Sequence, residues 1–322
     1  MLSPGPGEDA GGLPRSQSGA NPQHVMATLL GDYWLDRDEH LPSASLVDLV
    51  CDFDVTTASA RAALSRLLRR GTLDARKSGR NTFYRLSPPA RAGLAATRDA
   101  LVASTAPVEE AWDGTWLVVA FSVSEDRREV RHALRAGLRR LGFGPLYDGV
   151  WASPNASHDA LVRLLADLGV EQATVMRSSV LHPGDGVGHP TAVWNLATLA
   201  DRYRGFTRTY APVLDDLAAG AVSPRTALRL RAEALEAWRG LVDDEPSLPA
   251  ALLPADWPRT EATGVFVRLL DALAPLAEHR FREAVAAEAP ELASLAAVRR
   301  LGTSLSLDVA APVGTLRDSN PL

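Results

Sequence analysis

The sequence of 322 residues predicts a multidomain α+β fold, because its hydrophobic periodicity changes twice along the chain. Helical runs and one hairpin fill residues 24–92, strand and helix patterns alternate over residues 112–182, and helical patterns return after residue 183. At about 150 residues per domain, this length predicts two or three globular units. The content of 46% apolar and 23% charged residues is typical of an ordinary globular chain.

Residues 1–23 are predicted to be a disordered tail, and residues 301–322 a second, loosely ordered one. Proline, glycine and serine occupy 12 of the first 23 positions and leave almost nothing to bury. The start lacks the basic and apolar regions of a secretory signal, and no stretch approaches the roughly 18 apolar residues of a membrane span. We therefore expect a cytoplasmic protein that does not enter a membrane.

Charge is distributed unevenly along the chain. Between Thr56 and Arg91 there are nine basic residues and one acidic residue, Asp74, a net charge of +8. The rest of the chain then carries −13, because the total is −5. Such an asymmetry in one short region predicts a polyanionic partner.

Three helices and a basic hairpin are predicted within residues 24–92. Apolar residues at helical spacing predict helices over 25–35, from Ser43 to Val50, and over the 13 residues that follow the capping side chains of 54–57. Gly71 ends the third helix. The segment LDARKSGRNTFYRLS then predicts two strands around a Ser78-Gly79 turn. This order predicts a winged helix-turn-helix.

Polar and basic side chains of the third helix are predicted to face outward. With Leu64 as the inward direction, 100° per residue places hydroxyls and arginines on the opposite side and its flanks. An α-helix fits the DNA major groove, where arginine pairs with guanine, and the hairpin tip would reach the adjacent backbone or minor groove. The predicted DNA-binding residues are Thr57, Ser59, Arg61, Ser65, Arg66, Arg69, Arg76, Lys77, Arg80 and Asn81. A merely solvated basic face is the alternative.

The middle of the chain is predicted to form a small ferredoxin-like βαβ domain over residues 112–182, after a helical connector at 93–111. Apolar and amphipathic patterns predict strands over 115–123, 145–151 and 171–177 and helices over 125–141 and 157–168, with one more strand as an option. The remaining residues 183–300 are predicted to be an α-helical domain. Four prolines between Pro246 and Pro258 predict a loop between two of its helices.

Several aromatic residues of the helical domain have two interpretations. Core packing is the preferred one, and an aromatic effector pocket is the alternative. The residues are Trp194, Tyr203, Phe206, Trp238 and Trp257.

Motifs for cofactors, metals or nucleophilic catalysis are weak. The single cysteine, Cys51, excludes a disulfide framework and lies in an apolar run, so it is expected to be a small buried side chain. The segment HPGDGVGHP (182–190) lacks the full ligand set of a zinc site and the Lys-Ser/Thr of a P-loop. We predict a flexible interdomain loop there, no metal and no cofactor. A Ser-His-Asp triad stays open, since its members meet only in space.

Five stretches of the chain resemble the PaaX family of transcriptional regulators, which control aromatic-acid catabolism such as phenylacetate degradation. The stretches are LLGDYWL (29–35), ARAALSRLLRRGTLDARKSGRNTFYRLS (60–87), WDGTW (112–116), LGFGPLYDGVWASP (141–154) and DDEPSLPAALLPADWP (243–258). The resemblance spans roughly residues 25–285. It implies a winged helix, a central ferredoxin-like domain similar to small CRISPR-associated nucleases, and a C-terminal helical domain.

The resemblance also implies a homodimeric repressor that an aryl-CoA thioester releases from a double-stranded DNA operator. It supports DNA contacts by Arg61, Ser65, Arg66, Arg80 and Tyr84, and it identifies no effector contacts. In that setting the three arginines at positions 202, 204 and 208 could meet a CoA phosphate, or they are a solvated face.

The preferred prediction is therefore a non-enzymatic, sequence-specific DNA-binding repressor. A metal-dependent nuclease is the alternative, because relatives of the central domain place a carboxylate at the end of the first strand for Mg²⁺ or Mn²⁺. This chain has Ser122-Val123-Ser124 there, and Glu125 and Asp126 follow only at the helix start, where carboxylates commonly cap. A purely structural adaptor is a third class.

Overall fold

The computed structural model describes residues 21–107, 112–179, 190–246 and 248–302. Over these ranges the protein is a mixed α+β structure with ten α-helices and two small antiparallel sheets, which confirms the predicted class. Residues 1–20 and 303–322 of the predicted tails, and residues 182–189 of the HPGDGVGHP segment, lie outside the described residues. Among the described helices, none is both long and apolar enough to cross a membrane.

The first part of the chain contains four helices and a three-stranded sheet. They are α1 (Pro22–Tyr33), β1 (Leu41–Pro42), α2 (Ser43–Cys51), α3 (Thr57–Arg69), β2 (Leu73–Ser78), β3 (Asn81–Leu86) and α4 (Pro88–Ala103). The side chains of Asn21, Thr56 and Ser87 accept hydrogen bonds from the backbone at the starts of α1, α3 and α4. The strand order β1-β3-β2 places β3 in the centre of the sheet.

The apolar periodicity of these helices produces a shared core. Leu30 of α1, Leu49 of α2 and Leu64 of α3 are each at most 2% exposed. Burial of such side chains contributes about 1.5–3 kcal/mol each, so the core fixes the orientation of α3. Cys51 ends α2 and is half-buried, so it is less buried than the small buried side chain that the sequence predicts.

The middle of the chain forms a four-stranded antiparallel sheet with two helices. Its elements are β4 (Trp116–Phe121), a 3-10 turn (Glu125–Arg127), α5 (Arg128–Arg140), β5 (Gly144–Tyr147), β6 (Val150–Ser153), α6 (His158–Asp167) and β7 (Ala173–Ser178). The strand order is β5-β6-β4-β7. Leu117 and Val119 of β4 share one core with Leu134 of α5 and Leu161 of α6, whereas Trp116 lies in a separate cluster.

The single strand predicted over residues 145–151 is wrong, because this segment belongs to a hairpin. β5 ends at Tyr147 and β6 begins at Val150, with Asp148 and Gly149 between them. An Asp-Gly pair is a strong signal for a two-residue hairpin turn. The hairpin supplies the additional strand that the sequence left as an option.

The remainder of the chain is helical, as predicted. Its helices are α7 (Leu196–Ala218), α8 (Pro224–Asp243), α9 (Arg259–Ala286) and α10 (Pro290–Ala293), with 3-10 turns at Pro190–Trp194 and Ala250–Leu252. The four prolines between 246 and 258 lie outside the three long helices. Pro212 and Pro275, in contrast, lie inside α7 and α9.

The described residues form two compact units. The first contains residues 21–106, 207–239 and 263–302, and the second contains the described residues between 107 and 206 and between 240 and 262. The first unit thus combines α1–α4 and their sheet with parts of α7, α8 and α9. The partition by chain order at residues 24–92, 93–111, 112–182 and 183–300 stays a prediction.

Candidate nucleic-acid interface

α3 presents an exposed polar face opposite its buried one. Ala60, Ala63, Leu64 and Leu67 are buried, which leaves the intervening positions to solvent. The exposed predicted residues of α3 are Thr57, Ser59, Arg61, Ser65 and Arg69, and Arg66 is half-buried. The helix therefore exposes hydroxyl and guanidinium groups together, and their assignment to DNA stays a prediction.

Two hydroxyls of this face are bonded within their own helix. Thr56 Oγ1 accepts from the Ser59 backbone N at 3.2 Å and donates to Ser59 Oγ at 3.0 Å. Ser65 Oγ donates to the carbonyl of Arg61 at 3.2 Å. Both hydroxyls can still accept a hydrogen bond. Ser59 can also donate, because its Oγ is the acceptor from Thr56, whereas donation by Ser65 to a base or phosphate requires its present bond to break.

The β2–β3 hairpin carries its basic residues at an exposed tip. Ser78 pairs with Asn81, so Gly79 and Arg80 form a two-residue turn. Gly79 has φ of +59°, a conformation that glycine adopts without the strain of a side chain. The exposed residues of the tip are Arg76, Lys77, Arg80 and Asn81.

Tyr84 differs from the other predicted contact residues. It lies in the central strand of the sheet, opposite Leu41 of β1 on one side and Ala75 of β2 on the other. Its side chain is half-buried rather than fully exposed. The sequence alone did not indicate that the strand of Tyr84 is the central one, because β1 is only two residues long.

Among the described residues, no carboxylate forms an ion pair with the cations of α3 and the hairpin tip. Two basic residues of the segment are paired: Arg85 lies 3.3 Å from Asp74, and Arg91 lies 2.7 Å from Asp38. Within the part of the chain that the structure describes, the predicted contact cations form no ion pair; these are Arg61, Arg66, Arg69, Arg76, Lys77 and Arg80. Their charge is therefore available to a polyanion.

Arg70 belongs to the same group, although the sequence interpretation missed it. It is exposed at the C-terminal end of α3, and it too forms no ion pair among the described residues. The Arg69-Arg70 pair was the available signal. We name the group of Arg61, Arg66, Arg69, Arg70, Arg76, Lys77 and Arg80 the unpaired basic surface.

The electrostatic effect of the arginines extends to His40, which precedes β1. Burial lowers the pKa of His40 below its ordinary value, and the positive charges of Arg85 and Arg76 lower it further, against the opposing charge of Asp74. The imidazole is thus held more neutral near the hairpin. Burial is the larger cause of this lowered pKa, and the arginine charges add to it.

The aromatic residues of the helical region pack in cores. Trp238 is fully buried, stacks on Phe266 at 4.5 Å between ring centroids, and donates from Nε1 to Ser104 Oγ at 3.0 Å. In the second unit, Tyr203 is fully buried and meets Trp257 edge to face at 6.0 Å. These contacts match the core interpretation.

A largely buried carboxylate, that of Glu245, lies beside those aromatic residues in the second unit. Burial raises its pKa, while the charge of Arg259 and the nearby polar groups of Tyr203 and Trp257 oppose that rise. Arg259 Nε lies 3.2 Å from the Glu245 carboxylate. The cluster is internally paired, so it stabilises the segment that precedes α9.

The arginines considered for a CoA phosphate are largely engaged within the second unit. Arg202 donates to Asp244 and to the carbonyl of Gly240, each at 2.6 Å. Arg204 donates to Asp256 at 3.0 Å. The third arginine, at position 208, is exposed.

The carboxylates of the nuclease alternative lie in an exposed turn. Asp126 is fully exposed, and a hydrogen bond from Ser124 lowers its pKa, as in a capping interaction. Among the described residues, no group of three or more His, Cys, Asp or Glu side chains is arranged to hold a metal ion. Glu125 and Asp126 therefore match a capping turn more closely than a metal site.

Three family models match the chain in succession. The model of a PaaX-like protein matches residues 21–90, that of the PaaX protein central Cas2-like domain matches residues 109–188, and that of the PaaX-like protein C-terminal domain matches residues 194–283. The chain belongs to the PaaX family. The unpaired basic surface lies within the first of the three matched regions.

Two similar proteins extend the comparison of this PaaX-family chain. Transcriptional repressor PaaX of Escherichia coli (strain K12) is 27% identical over 259 residues, which are 79% of this chain and 80% of that protein. Uncharacterized protein Rv0674 from Mycobacterium tuberculosis has a solved structure at 25% identity, with a TM-score of 0.49 and coverage of 82% of this chain and 98% of that one.

Proposed function

We propose that this PaaX-family protein is a sequence-specific DNA-binding repressor of aromatic-acid catabolism, of which phenylacetate degradation is an example. The unpaired basic surface on α3 and the hairpin tip carries this proposal. Surface cations that lack acidic partners neutralise DNA phosphates without first breaking an ion pair. The similarity to the E. coli transcriptional repressor supports the repressing role.

The proposed DNA-binding module is a winged helix-turn-helix at residues 24–92, in which α3 lies in the major groove and the β2–β3 hairpin is the wing. A helical connector at 93–111 is proposed to follow the module. The central region at 112–182 is proposed to be ferredoxin-like, because its βαββαβ element order is that of a split βαβ unit. Residues 183–300 are proposed as the helical domain.

The proposed contacts divide by the chemistry of each side chain. Arginines of α3 can pair with guanine O6 and N7, and hydroxyls of the same face can accept from base edges. The proposed major-groove residues are Thr57, Ser59, Arg61, Ser65, Arg66 and Arg69. The hairpin residues Arg76, Lys77, Arg80 and Asn81 would contact phosphates or the minor groove. Tyr84 would contribute through the exposed part of its half-buried ring.

Assembly and regulation follow from the family resemblance. We propose a cytoplasmic homodimer whose two modules bind half-sites of an inverted repeat, about one turn of DNA or a multiple of it apart. An aryl-CoA thioester is the proposed effector, and it would release the operator by binding better to the DNA-free state. No enzymatic step is part of this proposal.

Footprinting of the purified protein on genomic DNA tests the function. The expected result is protection of inverted repeats upstream of genes for aromatic-acid breakdown. Incubation of the same DNA with Mn²⁺, with and without Asp126→Ala, tests the nuclease alternative. Cleavage that depends on this carboxylate would contradict the proposal, and so would the absence of any protected site.

A further inference from the structure

A cleft in the first unit lies among α1, α4, α8, α9 and the segment that follows α10. Its cavity volume is about 110 Å³, and it is open to solvent on one side. All its lining residues belong to this one unit. None of the residues proposed to contact DNA lines this cleft.

One part of the cleft lining is apolar. Leu35, which follows α1, is joined there by Leu94 and Leu101 of α4, Leu235 of α8 and Leu270 of α9. Clefts with mostly apolar walls and a few convergent polar groups are typical of small-molecule sites. The apolar wall would accept a compact hydrocarbon or aromatic body.

The polar part of the lining carries excess positive charge. It contains five arginines, Arg37, Arg98, Arg231, Arg239 and Arg299, but only two aspartates, Asp32 and Asp36.

These arginines differ in how closely they are paired. Arg231 pairs with Asp32 at 2.6 Å, and Arg98 pairs with Asp36 at 2.8 Å. Within the described ranges, the ion pair of Arg299 is a long contact of 4.0 Å to Asp99. Arg37 donates through Nε to the carbonyl of Leu295. The guanidiniums of Arg37 and Arg299 thus favour an anionic ligand group.

A buried hydroxyl lies at the same cleft. Tyr33 is 3% exposed and stacks on Phe281 at 4.6 Å, yet its Oη has no hydrogen-bond partner among the described residues. A buried polar group without a partner is costly, so each one in a native structure demands an explanation. Burial also raises the pKa of Tyr33 well above its ordinary value, so the hydroxyl stays protonated and can donate.

We propose that this cleft binds a ligand that joins a compact apolar body to an anionic group. The leucine wall takes the apolar body, Arg299 and Arg37 attract the anion, and Tyr33 donates a hydrogen bond to the ligand. Two sources share this chemistry: a free carboxylate, and a thioester whose negative charge lies on the phosphates of CoA.

The position of Arg231 connects the cleft to the DNA-binding module. Its guanidinium donates to Asp32 of α1, to the carbonyl of Leu270 of α9 at 2.6 Å, and to the carbonyl of Arg299 at 3.4 Å. α1 in turn packs against α3. A ligand that moves these shared bonds shifts α1 and lowers DNA affinity; this last step rests on the proposed function.

Ligand binding is tested on the full-length protein without DNA, by calorimetry with benzoate, benzamide and benzoyl-CoA. Tyr33→Phe keeps the stacked ring and removes only the hydroxyl, so it is expected to weaken binding about tenfold without loss of thermal stability. Arg299→Gln is expected to weaken binding by a similar factor. Arg268→Gln, an exposed arginine of α9 outside the cleft lining, is the matched control and leaves binding unchanged.

The two sources of the ligand are distinguished by the three probes. If benzoate binds more tightly than benzamide, and if both variants lose affinity as expected, the site is supported and its ligand carries a free carboxylate. Binding of benzoyl-CoA alone, with the same loss, supports the site and assigns the thioester. Binding of none of the probes, equal binding of benzoate and benzamide without benzoyl-CoA binding, or unchanged affinity in both variants would overturn the proposal.

A mobility shift with the bound probe present then tests the regulatory step. Reduced DNA affinity in the parent protein but not in Arg299→Gln is the expected result. Ligand binding with no change in DNA affinity contradicts the connection through Arg231. A protein that binds ligand but no DNA contradicts the proposed function while leaving the ligand site supported.

Discussion

Arg280 of α9 donates to the buried carboxylate of Asp52, directly after α2, from Nε at 2.7 Å and from Nη2 at 3.2 Å. The Asp52 side chain is fully buried, and the Arg280 side chain is 8% exposed. Arg280 also donates to Asp48 of α2 at 2.6 Å. The end of α2, and with it the turn into α3, is therefore held by a helix more than 200 residues away in the sequence.

Loss of this ion pair is predicted to destabilise the first unit. Arg280→Ala leaves the buried carboxylate of Asp52 with Arg225, which is 63% exposed and 3.0 Å away, as its ionic partner among the described residues. A fully uncompensated buried charge costs about 3–5 kcal/mol, and the partial compensation by Arg225 is expected to keep the loss at or below the lower end of that range. Urea unfolding measures the change, and Arg268→Ala, an exposed arginine of the same helix, is expected to stay within about 0.5 kcal/mol of the parent. Equal stabilities of the two variants would show that the pair contributes little.

A pH-dependent contribution is predicted from Glu236 of α8. Burial acts to raise its pKa, but a hydrogen bond from His24 and the charge of Arg239 outweigh burial, and the folded pKa lies below the ordinary 4.5. A lowered carboxyl pKa gives stability that is fully present above the unfolded value and is lost as the pH falls through the folded pKa.

Thermal unfolding of Glu236→Gln at pH 7 and below pH 4.5 checks this prediction. The variant is expected to be less stable than the parent at pH 7, and the difference is expected to narrow as the pH falls below 4.5. Asp216→Asn, which changes an exposed carboxylate, is the control. A stability difference that is independent of pH would contradict the assignment.

Two glycine substitutions are predicted to have opposite signs. An added Cβ at Gly149 would lie 2.6 Å from the backbone oxygen of Phe121, so Gly149→Ala forces a backbone shift and costs about 1–3 kcal/mol. At Gly264, inside α9, nothing lies within 4 Å of an added Cβ. Gly264→Ala is therefore expected to stabilise by about 0.5–1 kcal/mol through helix propensity. Chemical denaturation measures the free energy of unfolding of both variants. A Gly149→Ala variant that is more stable than the parent would contradict the described turn.

Local patterns were sufficient to predict most of the elements. The buried stripe of Ala60, Leu64 and Leu67 follows helical spacing, and α3 lies where that spacing placed it. The Asp148-Gly149 pair signals a turn, whereas the apolar residues around it predict one strand over residues 145–151, and the turn signal is the correct one. β1 was missed for a physical reason: two residues cannot display a period.

The ion pairs between distant segments could not be predicted from the sequence. Asp32 and Arg231, or Asp52 and Arg280, are ordinary charged residues at helical positions until the chain is folded. Their partners are set by packing of the helices, which no local pattern encodes. The candidate contact surface on α3 could be predicted, because the helical phase of the sequence decides which of its residues are exposed. The lining of the cleft could not be predicted, since it combines five separate segments of the chain.

Arg66 is predicted to determine base preference. It lies on the proposed major-groove face of α3 and forms no ion pair among the described residues. Arg66→Ala is expected to weaken binding to the preferred site by about 1–3 kcal/mol and to relax selectivity at one base pair. Selection of bound sequences from a random library, with the parent and the variant in parallel, provides the readout. An unchanged consensus sequence of the bound DNA would show that the Arg66 side chain does not contact the bases.

The most direct test of the unpaired basic surface is the salt dependence of DNA binding after removal of two hairpin cations. Lys77→Ala combined with Arg80→Ala is expected to reduce the slope of log K against log salt by about 2, because each lost phosphate contact removes about 0.9. The control is Arg163→Ala, an exposed arginine of α6. A mobility shift titrated from low to moderate salt is predicted to show the reduced slope in the double variant only. Equal slopes for the parent, the double variant and the control would contradict the account.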